Sequence, residues 1–95
     1  MLQRNYRTRT GEIDLVMRDG DIIVFVEVRS RVDAAFMHPE ESIDTRKRLR
    51  LSATGARYLQ HHGMLNTCRC RFDVVVVLGK TGNPEFRWIE NAFEA

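Results

Sequence analysis

The chain has 95 residues, enough for one domain built on a single sheet with one or two packed helices. Its 43% hydrophobic and 29% charged residues are typical of a globular protein and exclude a disordered or fibrous chain. No apolar run approaches the ~20 residues that a membrane helix needs. Residues 1–10 are basic and polar, unlike a signal peptide. We therefore expect a cytoplasmic protein without a membrane partner.

The charges are nearly balanced, with 15 basic and 13 acidic residues and a net charge of +2. Their distribution is uneven, because basic residues gather in two stretches, 4–9 and 46–50. Clustered cations attract phosphates in a salt-dependent way, which would suit a nucleic-acid partner. An ordinary solvated face explains the charge equally well.

The pattern of residues predicts strand, strand, helix, strand, strand. Two strands, at about 11–17 and 21–31, are rich in Ile, Val and Phe and surround an Asp19-Gly20 turn. A helix at about 40–62 has acids near its start and ends at Gly63. Further strands are expected at about 70–78 and 85–91. This order predicts a single α/β domain, residues 1–95, with a central mixed sheet.

The Asp19-Gly20 turn also predicts which residues of the hairpin lie opposite each other. If these two residues form the loop, the residue numbers of every cross-strand pair sum to the same value, so that Ile13 lies opposite Val26, Leu15 opposite Val24 and Met17 opposite Ile22. One face of the hairpin is then wholly apolar. The other face carries four charged residues, namely Glu12, Asp14, Glu27 and Arg29.

Two or three converging carboxylates suit Mg²⁺ or Mn²⁺, which prefer oxygen ligands and retain several waters. In the predicted register Glu12 lies opposite Glu27, and Asp14 lies diagonal to Glu27, within joint reach of one cation. Arg29 shares their face and could contact a phosphate. The alternative is that Arg29 and Arg31 form ion pairs with these acids on a solvated face.

Several motifs together resemble the YraN family of small uncharacterised bacterial proteins. The likeness covers nearly the whole chain in order, and the matching segments are Arg4-Asn5-Tyr6-Arg7, Gly11-Glu12-Ile13-Asp14-Leu15, residues 24–31, Lys47, Arg50-Leu51, Ala56, Tyr58-Leu59, residues 71–75 and residues 89–93.

This resemblance implies a restriction-endonuclease-like fold, related to Holliday-junction resolvases and other PD-(D/E)XK nucleases. In those enzymes an acid on the second strand and an acid two residues before a lysine on the third strand hold the metal. By position, Asp14 and Glu27 take the two metal-binding roles, and Glu12 belongs to the same motif.

The sequence departs from that pattern in two ways. Arg29 stands where the lysine is expected, and arginine does not lose a proton near neutral pH. The helix that normally precedes the first motif is also absent. Either the sequence is truncated or a partner subunit covers the sheet, since exposed apolar surface favours a homodimer.

The leading hypothesis is therefore a DNA-directed, Mg²⁺- or Mn²⁺-dependent endonuclease. Asp14 and Glu27 would bind the metal, Glu12 would assist, and Arg29 would contact phosphate. The predicted nucleic-acid contacts are Arg4, Arg7, Arg31, Lys47 and Arg50. The alternatives are a nucleic-acid-binding module without catalysis and a protein-interaction or dimerisation domain of the same fold.

Overall fold

The computed structural model describes residues 1–31, 44–79 and 85–93, which form one five-stranded sheet and one helix. The elements in chain order are β1 (Gln3–Thr8), β2 (Gly11–Asp19), β3 (Ile22–Arg31), α1 (Thr45–His61), β4 (Arg69–Leu78) and β5 (Glu85–Phe93). The strands lie side by side in that order; β3 and β4 are parallel, and the other neighbours are antiparallel. The predicted α/β class with a mixed sheet is confirmed.

Most predicted boundaries agree with the structure. The strands expected at 70–78 and 85–91 are β4 and β5, each extended by one or two residues. The predicted helix is observed from Thr45 to His61, and residues 40–43 of that prediction lie outside the described part of the chain. Because β3 and β4 are parallel, α1 is the connection that carries the chain from one end of the sheet to the other.

An additional edge strand, β1, corrects the predicted order of elements. Its residues are mostly polar and exposed, with only Tyr6 and Thr8 partly buried, so the apolar alternation that marks a half-buried strand is missing. β1 forms because β2 offers it an antiparallel partner from Gln3–Val16 to Thr8–Gly11, interrupted only between Arg4 and Tyr6. Tertiary pairing, rather than local pattern, makes this strand.

The hairpin of β2 and β3 has a different register from the one predicted. Leu15 lies opposite Val26, and Asp19 lies opposite Ile22, so the loop is Gly20-Asp21 rather than Asp19-Gly20. Gly20 has φ +59° at the first loop position, where a type II′ turn requires glycine. The register differs by two residues, and because side chains alternate with period two, β3 still presents the predicted faces.

The predicted apolar face is also corrected at Ile13. A regular strand would place residues 13 and 16 on opposite faces, yet Ile13 and Val16 both belong to the core beneath α1. The regular pairing of β2 with β3 ends at Leu15, and Asn5, which lies on β1 across from Asp14, has φ +51°. β2 is therefore irregular at Asp14.

The core beneath α1 depends on a close contact at Gly55. A Cβ atom added to Gly55 would lie 3.0 Å from Phe25 and 3.1 Å from Phe72, closer than side chains normally approach. The two rings lie 5.2 Å apart, and Tyr58 meets Phe25 edge-on at 5.8 Å. The helix thus rests directly on two aromatic rings of the central strands.

Asp73 connects β4 to β5 on the sheet face away from α1. Its buried carboxylate accepts hydrogen bonds from Arg71 Nε at 3.0 Å, Trp88 Nε1 at 2.7 Å and the Asn91 backbone N–H at 2.9 Å. Asn91 has φ +50°, and the pairing of the two strands shifts between Phe72 and Val74. Asp73 therefore stabilises an irregular strand edge.

Within the described residues, no helix combines the length and apolar character needed to cross a membrane.

The contact at Gly55 yields a stability prediction. Gly55→Ala adds a methyl group against Phe25 and Phe72, and we expect a net loss of about 1–3 kcal/mol in the free energy of unfolding, because overpacking exceeds the gain in helix propensity. Urea denaturation measures this change. Ala56→Gly, at an exposed helix position, is the calibrating control and should cost about 1 kcal/mol. Stabilisation by Gly55→Ala would contradict the close contact.

Candidate functional site

A charged cleft of about 170 Å³ lies where the first two turns of α1 meet β2 and β3. Its residues come from three separate elements, and they are Gly11, Glu12, Asp14, Glu27, Lys47, Arg50 and Leu51. Three of the four predicted catalytic residues and two of the five predicted nucleic-acid contacts line this single cleft. The sequence-predicted site is thus largely gathered in one place.

Glu27 is the most deeply buried charged residue of the cleft, with 8% of its surface exposed. It projects from β3 toward α1, where Lys47 Nζ lies 3.1 Å from Glu27 Oε2. Oε2 is buried, and Lys47 is its ion-pair partner. This carboxylate oxygen has unused capacity to accept a hydrogen bond or a cation.

The environment of Glu27 raises its pKa from 4.5 to about 7. Burial is the largest cause, because it penalises the charged form, and the hydrogen bond and negative charge of Asp14 act in the same direction. The Lys47 ammonium acts the other way without cancelling them. An acid that is held between two protonation states near neutral pH is common at functional sites.

The start of the helix positions Lys47. Asp44 is the N-cap residue, and its Oδ1 accepts a hydrogen bond of 2.8 Å from the Lys47 backbone N–H. An N-cap side chain normally bonds to the second or third helical residue, so the cap fixes the third residue of α1 in place. The side chain of this residue then reaches Glu27.

Asp14 lies at the irregular point of β2. Its Oδ2 accepts a hydrogen bond of 2.8 Å from the Val28 backbone N–H. The carboxylate thereby takes the place of a backbone acceptor just beyond the regular pairing of β2 with β3. This bond holds Asp14 beside Glu27, the residue before Val28, and explains why the two acids interact.

Glu12 is not opposite Glu27, which corrects the predicted arrangement. Its cross-strand partner is Arg7 of β1, and Arg7 Nε lies 3.0 Å from Glu12 Oε2. Arg7 is 73% exposed, so this surface pair contributes little to stability. It does neutralise Glu12 and leaves Asp14 and Glu27 as the interacting acids of the cleft.

Arg29 lies two residues after Glu27 on the same face of β3. It is partly buried, and its Nε is enclosed without a hydrogen-bond partner. A buried guanidinium N–H with no acceptor is costly and invites an anionic ligand. Glu27 Oε2 and Arg29 Nε are therefore an acceptor and a donor that the described residues leave unsatisfied on one strand.

The remaining predicted nucleic-acid contacts are spread over the molecule. Arg50 lines the cleft, whereas Arg4 is exposed on the edge strand β1. Arg31 is the last residue of β3, and its side chain lies outside the described part of the structure. The structure thus brings Lys47 and Arg50 to the acids and places Arg4 apart from them.

The carboxylates fit a magnesium- or manganese-type ion only as a two-ligand site. Within residues 1–31, 44–79 and 85–93, no three acid, histidine or cysteine side chains converge as a metal-binding group. Mg²⁺, however, is usually held by one or two carboxylates together with waters and substrate oxygens. Asp14 and Glu27 are adjacent, and Glu27 Oε2 is buried, so this pair fits such an ion.

The role of Lys47 beside Glu27 is missing from the sequence prediction, which assigns this lysine to nucleic-acid backbone contacts. The available signal is Asp44, which is a good N-cap residue three positions before Lys47. With the helix start placed at Asp44, a connection leaving the end of β3 would bring its first turn close to the second half of that strand.

Comparison with known proteins identifies the family. The model of the uncharacterised protein family UPF0102 matches residues 1–77. A UPF0102 protein of Chromohalobacter salexigens is 46% identical over 95 residues, covering 100% of this chain and 76% of the relative. One from Stutzerimonas stutzeri is 45% identical, covering 100% and 79%, and one from Pseudomonas paraeruginosa is 49% identical, covering 99% and 77%. The predicted membership of an uncharacterised bacterial family is confirmed.

The raised pKa of Glu27 predicts how stability depends on pH. The folded protein holds this proton more tightly than the unfolded chain, so the contribution is fully present below pH 4.5 and is lost as pH rises toward 7. Glu27→Gln removes this dependence. In chelator-treated buffer, we compare the unfolding free energies of the variant and wild type at each pH. As pH rises from 4.5 to 8, we expect this difference to change in favour of the variant by on the order of 1–3 kcal/mol.

Urea denaturation at several pH values measures this difference. Glu85→Gln, which changes an exposed acid of β5, serves as the matched control and should track wild type at every pH. A constant difference between Glu27→Gln and wild type across the range would show that Glu27 titrates alike in the folded and unfolded states.

Proposed function

The chain belongs to the UPF0102 family, and we propose that it is a metal-dependent nuclease of the restriction-endonuclease-like class that hydrolyses DNA phosphodiester bonds. The observation that carries this proposal is the convergence of Asp14, Glu27 and Lys47 from three elements into one cleft. Two acids and a lysine are the residue types that the sequence resemblance implies. The mixed sheet with a helix connecting two parallel strands is compatible with such a fold.

In this proposal Asp14 and Glu27 hold Mg²⁺ or Mn²⁺. When bound, such an ion activates water and stabilises charge on a phosphate. The positive charge would also favour the ionised form of Glu27, whose pKa is raised to about 7 by burial and by Asp14. Asp14 is held for this role by the Val28 N–H.

In this proposal Lys47 of α1 takes the role of the lysine that is expected on β3. The resemblance places lysine two residues after the second acid, where this chain has Arg29, but Lys47 reaches the same acid from α1. Lysine can be tuned to exchange a proton, whereas arginine stays charged. We therefore assign Lys47 to orienting water and stabilising developing charge. Arg29, on the same face of β3 as Glu27, would contact a phosphate oxygen through its guanidinium group.

A second candidate is a binding module of the same fold without catalysis. It is favoured by the ion pair of Lys47 with Glu27, which balances the buried acid within the protein itself. It is also favoured by the number of acids, because the described residues bring no third metal-binding side chain to Asp14 and Glu27. Such a module would bind DNA through its basic residues, with strong salt dependence, and would not need a metal at the acids.

Cleavage assays test the catalytic proposal. Linear and branched DNA is incubated with Mg²⁺ or Mn²⁺, and the products are resolved on gels. We expect Asp14→Asn, Glu27→Gln and Lys47→Ala each to lower the cleavage rate by about 100-fold or more, because each removes a group that acts in the reaction. Glu85→Gln, on β5, should leave the rate unchanged.

Cleavage that persists in all three cleft variants would assign the activity to a contaminant or another site. Absence of cleavage on every substrate, together with salt-dependent DNA binding, would favour the binding module. A protein-interaction or dimerisation domain would instead bind no DNA at low salt. The three outcomes separate the three classes of function.

Metal binding provides a separate test that needs no substrate. Calorimetric titration of Mn²⁺ into the wild-type protein should show a single site that Asp14→Asn abolishes. Lys47→Ala should bind Mn²⁺ at least as tightly as wild type, because it removes a cation that lies 3.1 Å from Glu27. Equal binding by wild type and Asp14→Asn would contradict the assignment of Asp14 as a ligand.

A further inference from the structure

A second and larger cleft lies beside the first, between β1 and the C-terminal half of α1. Its volume is about 450 Å³, and it is lined by Tyr6, Arg7, Thr8, Arg57, Gln60 and His61. Among the described residues that line it, two are arginines, one is a histidine and none is an acid. Such a lining suits an anion.

The basic residues of this cleft are exposed and face solvent. Arg57 and His61 lie on the outer surface of α1, and Arg7 is 73% exposed. The floor of the cleft includes Tyr6, which packs edge-on against the buried Tyr58 with ring centroids 5.2 Å apart. Arg7 lies in an ion pair with Glu12, whereas Arg57 is exposed on the helix, and exposed basic side chains are suited to contacting a phosphate backbone without reading its sequence.

Helix geometry places this cleft in line with the charged cleft at the acids. Arg50 lines the first cleft and Arg57 lines the second, and seven residues at 100° each bring them to within about 20° on the helix surface. Along the axis, Arg57 and His61 lie about 15 and 21 Å from Lys47 at 1.5 Å per residue. One side of α1 therefore runs from the acids to the basic cleft.

A chain of hydroxyl groups fixes the wall between the two clefts. Thr54 Oγ1 donates to the Arg50 carbonyl oxygen at 2.8 Å, so the 2.8 Å contact between Thr10 and Thr54 has Thr10 as donor. Thr8 accepts from the Thr10 backbone N–H, and its hydroxyl lies 2.7 Å from that of Thr10. The corner between β1 and β2 is thus tied to α1 between the two clefts.

We propose that the cleft of Tyr6, Arg7, Arg57 and His61 binds the phosphate backbone of the same DNA strand whose scissile phosphate lies at Asp14, Glu27 and Lys47. This inference rests on the proposed function. The separation of the clefts corresponds to about four to six nucleotides at about 3.4 Å of rise each. The cleft extends the binding site along one strand and makes affinity depend on strand length.

Oligonucleotide length tests the proposal. Fluorescein-labelled single strands of 3 and 12 nucleotides are titrated with the protein in Ca²⁺, a cation that takes oxygen ligands and offsets the charge of the acids. Anisotropy reports binding, and gels verify that the strands stay intact. We expect the double variant Arg57→Ala/His61→Ala to bind the 12-mer about 10-fold more weakly than wild type, with a lower dependence on salt concentration. The gain in affinity from the 3-mer to the 12-mer should be smaller in this variant than in wild type, because a 3-mer cannot occupy both clefts at once.

The matched control is Arg18→Ala/Arg69→Ala, which removes two exposed arginines near the Gly20 end of the sheet. It should bind the 12-mer within about 2-fold of wild type. If both double variants lose the same affinity for the 12-mer, or if Arg57→Ala/His61→Ala loses the same affinity for both lengths, the second cleft does not bind the strand. The proposed function would remain intact. Failure of wild type to bind any oligonucleotide would overturn both proposals. Unfolding midpoints verify that each variant is folded.

Discussion

The close approach of α1 to the sheet at Gly55 is the constraint on which the rest of this structure depends. Without a side chain at that position, the helix backbone can rest on the rings of Phe25 and Phe72. A second close contact occurs at Gly11, where an added Cβ would lie 3.3 Å from Thr54 Oγ1 and where φ is +152°. Two glycines, one on the helix and one on β2, therefore set the depth at which the helix lies. This depth brings the first turn of α1 within reach of β3.

Helix depth in turn determines the electrostatics of the cleft. Glu27 is buried because the helix covers its strand, and burial is the main reason that its pKa is raised. The same packing brings Lys47 to 3.1 Å from the carboxylate. The position of the helix therefore causes both the burial that raises the pKa of Glu27 and the contact with Lys47 that partly offsets it. A carboxylate that is neither fully exposed nor fully neutralised can respond to a proton or a cation, which an ordinary core residue cannot do.

The sequence predicts the acids of the site better than their partners. Asp14 and Glu27 can be grouped from strand alternation, and this grouping survives an error of two residues in the register because side-chain direction repeats every two residues. The position of Ile13 could not be predicted, since it depends on the irregularity that the Asp14 side chain itself helps to create. Alternation describes regular strands only.

The partners of these acids depend on packing between elements that are distant in the chain. β1 has too little apolar character to be recognised, yet it supplies Arg7, which neutralises Glu12. Lys47 reaches Glu27 only because the helix lies at the depth that Gly55 permits. In this chain an arginine stands on the strand and a lysine on the helix, so the two kinds of cation are separated in space. The arginine keeps its charge at any physiological pH, while the lysine contacts the acid that titrates near neutrality. The proposed nuclease would use the two cations differently, with Arg29 holding an anion and Lys47 acting beside the titrating acid.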